Sequence, residues 1–167
     1  MRRAAAAVTL AAGLLASPVL AGGAAASAGG TVARPSARVL AAEVCEDMVR
    51  NALAASLGAP LPGAQQGAWA GNVFTCRYPL PGGQFVLTVH QYASRTRARR
   101  AFTVLARTNA GSTRLNGIGD RAFQARDGIL QVWKDQFVLA ADPSGVPPSL
   151  SRSDLAFAAV VAVMGCW

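Results

Sequence analysis

The first thirty residues constrain this chain more than any other stretch. Met1-Arg2-Arg3 is a short positive head, residues 4–20 carry no charge, and small residues follow through Ala24-Ala25-Ala26-Ser27-Ala28. A charged head, an apolar run and a small-residue end are the parts of a secretory signal peptide. Residues 1–28 are expected to be removed, with cleavage after Ala26 or Ala28, where Ala24-x-Ala26 and Ala26-x-Ala28 satisfy the small-x-small pattern. Retention as an anchor is the weaker reading. A spanning helix wants about 20 strongly apolar residues, and this run is mostly Ala and Gly, at its greasiest only over residues 8–15. Arg2-Arg3 suits either the twin-arginine route or an ordinary export route. Residues 29–37 read as a disordered leader. What remains is about 140 residues, one domain large enough for a real core.

Export sets how the cysteines read. Cys45, Cys76 and Cys166 would mature where thiols oxidise, so two should pair and one is left over. Cys45–Cys76 would close a loop of about thirty residues and stabilise by roughly 3–4 kcal/mol. Cys45–Cys166 is the rival pairing, and the leftover thiol would be buried and inert or a link to another chain. No Cys-x-x-Cys occurs, and His90 is the single histidine. Neither a thioredoxin-type redox site nor a metal site is therefore expected, and no cofactor is implied.

Residues 38–57 read as a first helix. Ser36 caps it, Val44, Cys45, Met48, Val49, Ala52 and Ala55 recur at three- and four-residue spacing, and Gly58 ends it. Residues 59–71 read as a Pro-, Gly- and Gln-rich loop, with Trp69 either capping the edge of the core or presenting a stacking surface for a ligand. Residues 72–78 and 84–92 predict a hairpin about Pro79-Leu80-Pro81-Gly82-Gly83. Phe85, Leu87 and Val89 share one face of its second strand, and His90 falls on the outer face. Residues 94–108 predict a second helix with Ala98, Ala101, Phe102 and Leu105 inward and Arg95, Arg97, Arg99, Arg100 and Arg107 outward. The loop over 109–120 ends in Asn116-Gly117-Ile118-Gly119-Asp120 but lacks the Gly-Lys-Ser/Thr ending of a phosphate loop.

Three strands follow, over 121–125, 129–133 and 136–141, turned by Asp127-Gly128 and Lys134-Asp135. Ser151 or Ser153 caps a last helix from residue 154. Residues 155–167 are uncharged and too short to span a bilayer. They are expected to be buried on most sides beside the first helix. The fold expected over residues 38–167 is α+β: a five-stranded, mainly antiparallel sheet packed by two to three helices, in the order αββαβββα.

The charge is +8, and all but one of the basic residues are arginine. Losing Arg2 and Arg3 takes the 16 basic residues to 14 against 8 acidic ones, a balance of +6. An Ala- and Arg-rich chain is also what a GC-rich genome writes, so charge alone names no partner. The dense patch, Arg95, Arg97, Arg99 and Arg100, is either a solvated face or an anion-binding surface. Nucleic acid is a poor partner for it, because no aromatic interleaving or recognised binding motif accompanies the charge.

Cys45 lies within the first helix, Leu57-Gly58-Ala59-Pro60 ends it, Cys76 lies in the first strand, and Gly117-Ile118-Gly119-Asp120-Arg121-Ala122-Phe123 enters the strand meander. On these features, over about residues 43–141, the chain resembles small exported actinobacterial proteins of the DUF3558-like kind, lipoproteins and their secreted relatives. The resemblance implies an extracytoplasmic α+β domain without assigned chemistry, and it implies a Cys45–Cys76 bridge. No lipobox cysteine is present, so membrane tethering does not carry over.

Three functional readings follow. The first is a secreted, non-catalytic module that binds an anionic cell-envelope polymer or another envelope protein, with no stable membrane span in the mature form. The second is a sensor or ligand carrier with a pocket between sheet and helices. The third is a hydrolase. That one lacks a Gly-x-Ser-x-Gly elbow and a partner for His90, and its acids Asp120, Asp127 and Asp135 fall in turns, where acids are common for conformational reasons. Hence no catalytic residues are assigned.

Overall fold

The computed structural model describes residues 36–61, 66–109 and 112–167. The signal peptide expected over residues 1–28 and most of the leader lie outside the described residues. The fold is α+β. The helices are α1 (Ala37–Ala42), α2 (Asp47–Leu57), α3 (Arg95–Thr108) and α4 (Arg152–Met164). The strands are β1 (Gln66–Ala70), β2 (Val73–Leu80), β3 (Gly83–Gln91), β4 (Thr113–Leu115), β5 (Arg121–Gln124), β6 (Leu130–Lys134) and β7 (Phe137–Asp142). They form one sheet in the order β1-β2-β3-β7-β6-β5-β4, every neighbouring pair antiparallel. Two meanders, β1-β2-β3 and β4 to β7, thus join through the β3–β7 pair, and α3 is the crossover between them.

The sheet has seven strands where five were expected. The two additions are short edge strands inside segments that read as loops. β1 is Gln-Gly-Ala-Trp-Ala and β4 is Thr-Arg-Leu, so neither shows the β-branched alternation that marks a strand. They are strands because β2 and β5 offer them a ladder, with Gly67 opposite Cys76 and Arg114 opposite Phe123.

Burial along the strands maps the helices above and below. In β2, Phe74, Cys76, Tyr78 and Leu80 are buried and their neighbours are not; in β3 it is Phe85, Leu87 and Val89. That alternation marks a sheet covered on one side. In β5 to β7 consecutive residues are buried instead: Ala122 with Phe123, Val132 with Trp133, Val138 with Leu139. Here α3 covers the second side, and Ala98 and Phe102 pack with Phe123, Ala125, Trp133 and Val138. The larger core lies on the opposite face under α1, α2 and α4, with Val49 and Leu53 of α2 and Leu155, Ala156, Ala159, Val160 and Val163 of α4. The α4 stripe runs at spacings of three and four. One expectation fails on α4. It is not buried on most sides, since Phe157 and Val161, one turn apart, are 50% and 48% exposed.

The first helix is not continuous. Ser36 caps α1, its hydroxyl accepting from the Val39 amide at 3.4 Å. A 3₁₀ turn follows over Glu43–Cys45. Glu46 is then extended (φ −74°, ψ 162°), and its carbonyl accepts from the Val49 and Arg50 amides to begin α2. No glycine or proline marks the break. Two ties to β2 cause it. Cys45 is bonded to Cys76 with their Cα atoms 5.5 Å apart, and the Tyr78 hydroxyl donates to the Val44 carbonyl. A carbonyl engaged by a strand phenol no longer serves the helix ladder. Gly67 makes the junction possible, because a Cβ there would lie 2.6 Å from Phe74 Cζ and 2.9 Å from Cys45 Sγ.

Replacing both Cys45 and Cys76 by Ala should lower unfolding stability by about 3–4 kcal/mol, read by urea denaturation. Tyr78→Phe should lower it by about 1–3 kcal/mol, the cost of leaving the buried Val44 carbonyl without a donor. A Tyr78→Phe variant as stable as the parent would show that the carbonyl finds another partner.

Candidate functional site

Two places on the molecule have the chemistry to engage something else, and the first is the outer face of α3. Ser94 caps the helix by accepting from the Arg97 amide at 3.3 Å, and Ala98 and Phe102 fix its inner face. That leaves Arg95, Arg97, Arg99, Arg100 and Arg107 exposed. The helix has no acid in its first turn and carries no acid anywhere. Arginines in the first turn face the positive end of the helix dipole. Arg95 with Arg99 and Arg97 with Arg100 are like-charged pairs at spacings of four and three, each unfavourable by about 0.2–0.5 kcal/mol.

Arg95 stands apart from the rest. Its guanidinium donates to Asp120 Oδ1 at 2.9 Å, lies 4.0 Å from Asp135 Oδ1, and sits 5.6 Å from the Trp133 ring centroid. Arg97, Arg99, Arg100 and Arg107 have no ion-pair partner among the described residues. The structure thus places all four sequence-predicted anion contacts on one helix, with Arg95 already engaged. Arg100 and Arg107 are two turns apart, about 10 Å along the axis. Val104, 58% exposed, lies among them.

The second place is a cavity of about 480 Å³ where α1, the β6–β7 turn and the chain's last residues meet. Leu40, Phe137 and Trp167 give it apolar walls, and Glu43, Asp135, Arg95 and Lys134 line it with charge. Trp167 is fixed there, its indole Nε1 donating to the Leu40 carbonyl at 2.9 Å and its ring 5.0 Å from that of Phe137. The turn is equally fixed. Asp135 has φ of +49°, its amide donates to Asp120 Oδ2 at 2.9 Å, and its carbonyl accepts from Trp133 Nε1 at 2.8 Å. A non-glycine residue with positive φ persists where surrounding bonds determine it. These residues come from three distant segments, and no local pattern in the sequence joins them.

Glu43 is the unusual group. It is half-buried, and its Oε2 is wholly buried without a hydrogen-bond partner. Burial, and then the nearby Glu46 carboxylate, raise its pKa above the ordinary 4.5.

The remaining cysteine is exposed, not buried. Cys166 is free, borders the cavity and lies 3.6 Å from Met48 Sδ. His90 is half-buried on the side of the sheet where α3 lies, opposite Val138 in the ladder, and stacks with Tyr92, their ring centroids 6.5 Å apart. Burial lowers its pKa below the ordinary imidazole value. Trp69 is half-buried on β1, packs on Phe74 at 5.2 Å and carries the Arg38 guanidinium 4.8 Å above its ring. Among the described residues no group of three or more His, Cys, Asp or Glu is placed to hold a metal, and no helix is long and apolar enough to cross a membrane. No protein-family model, curated protein or solved structure matches the chain.

Glu43 carries a pH signature. Its folded pKa lies above its unfolded one, so it opposes folding as pH rises between the two and does so fully above the folded value. Glu43→Gln should therefore raise the urea midpoint at pH 7 and have no effect well below pH 4.5. An equal gain at both pH values would assign the effect to packing.

Proposed function

We propose that the protein is an extracytoplasmic, non-catalytic binding module that engages anionic cell-envelope polymer through the outer face of α3. The observation that carries this reading is a 14-residue helix bearing five arginines and no acid. Mutual repulsion and the helix dipole both act against the fold there, and a polyanion laid along the face relieves both. Guanidinium forks suit phosphate and carboxylate groups, which they bind by two parallel hydrogen bonds. A linear polymer can meet Arg97, Arg100 and Arg107 together, because the helix presents charge over about 20 Å. The Cys45–Cys76 bridge supports an oxidising location, as the apolar leader does. Likeness to DUF3558-like exported proteins belongs to the same proposal.

The test is retention on immobilised polyphosphate and on intact cell envelope. The mature chain should bind and release as salt rises, since exposed charges are screened within about 10 Å at 0.1 M ionic strength. Changing Arg97, Arg99 and Arg100 to Ser should bring elution to markedly lower salt without altering the unfolding midpoint downward. Equal retention of parent and variant would overturn the proposal.

A further inference from the structure

We propose that the cavity between α1, the β6–β7 turn and Trp167 binds a small zwitterion with an apolar body, an amino acid or the end of a short peptide. Glu43 takes its ammonium, Lys134 its carboxylate, and Phe137 and Trp167 its side chain. This goes beyond the α3 face and does not rest on it.

Four observations converge on this. The volume, about 480 Å³, lies in the range of small-molecule sites, roughly 300–1,000 Å³. The aromatic wall is already ordered by the Trp167–Leu40 hydrogen bond and the Phe137 contact, so a ligand does not have to order it on binding. Glu43 lines the cavity and has no ion-pair partner among the described residues, so a ligand ammonium would supply one. Lys134, the single lysine of the chain, has no ion-pair partner among the described residues. The other cation at the rim, Arg95, is held by Asp120, so an incoming carboxylate falls to Lys134. Opposite charges without partners, lining one cavity beside a fixed aromatic wall, match a ligand that carries both charges and a hydrophobic group.

The experiment is isothermal titration of the mature chain with L-phenylalanine, L-leucine, N-acetyl-L-phenylalanine and L-phenylalaninamide. At least one free amino acid should bind saturably. The acetyl and amide forms of phenylalanine, each lacking one charge, should bind more weakly by about tenfold or more, the worth of a hydrogen bond to a charged group. Glu43→Gln should weaken the free amino acid and leave the acetyl form unchanged, and Lys134→Met should weaken it and leave the amide unchanged. The ligand series alone decides the matter if a variant fails to fold. No saturable binding of either amino acid up to tens of millimolar, or equal affinity for charged and blocked forms, would overturn the proposal. The variant with Ser at 97, 99 and 100 should titrate like the parent, which separates failure here from failure of the α3 face.

Discussion

The structure turns on the clamp between the 3₁₀ turn and β2. A sulfur bond from Cys45 to Cys76 and a phenol–carbonyl hydrogen bond from Tyr78 to Val44 grip adjacent residues of one segment from one strand. Burial keeps the Tyr78 phenol well above its ordinary pKa, so it stays a donor. The two ties act differently. The covalent one chiefly limits the unfolded chain, and the hydrogen bond satisfies a buried carbonyl that the broken helix leaves without a partner. Together they turn a single amphipathic run into α1 and α2, which leave the turn separately. The α2 segment goes to the core beside α4. The α1 segment carries Leu40 and Glu43 to the cavity.

That clamp also explains which parts of the fold could be read from sequence. The β2–β3 hairpin, α3 and the β5 to β7 meander are legible because local chemistry specifies them: Pro81-Gly82, an inward Ala98 and Phe102, Asp127-Gly128. The break at Glu46 is not. Val44, Cys45, Met48, Val49 and Ala52 keep three- and four-residue spacing across it, and its cause lies about thirty residues away in β2. β1 and β4 were illegible for a related reason, since an edge strand of Gln-Gly-Ala-Trp-Ala is stabilised by its neighbour's ladder and not by its own residues. α4 misleads in the opposite sense. Its composition is apolar all round, yet Ala156, Ala159, Val160 and Val163 meet the core while Phe157 and Val161 do not.

Of the candidate sites, the α3 face was legible as far as its residues, because a run of arginines at helical spacing needs no tertiary information. What could not be read was that Arg95 leaves the group. Gly119 permits this. With φ of +56°, and with any Cβ set 2.6 Å from Val132 Cγ1 and 2.7 Å from the Trp133 carbonyl, the position is closed to side chains. It brings Asp120 against the β6–β7 turn.

Asp120 then ties three elements at once. Its amide donates to the Trp133 carbonyl at 2.8 Å, one carboxylate oxygen accepts from Arg95 and the other from the Asp135 amide. The carboxylate neutralises one arginine at the start of α3, where the dipole disfavours positive charge most, and it braces the turn that carries Lys134 to the cavity. Of the seven other acids none lies on α3: Glu43, Glu46 and Asp47 are at the junction of α1 and α2, Asp154 is at the start of α4, Asp127 and Asp135 are in the turns after β5 and β6, and Asp142 ends β7. Arg97, Arg99 and Arg100 have no ion-pair partner among the described residues and leave an exposed positive field on the outer side of α3.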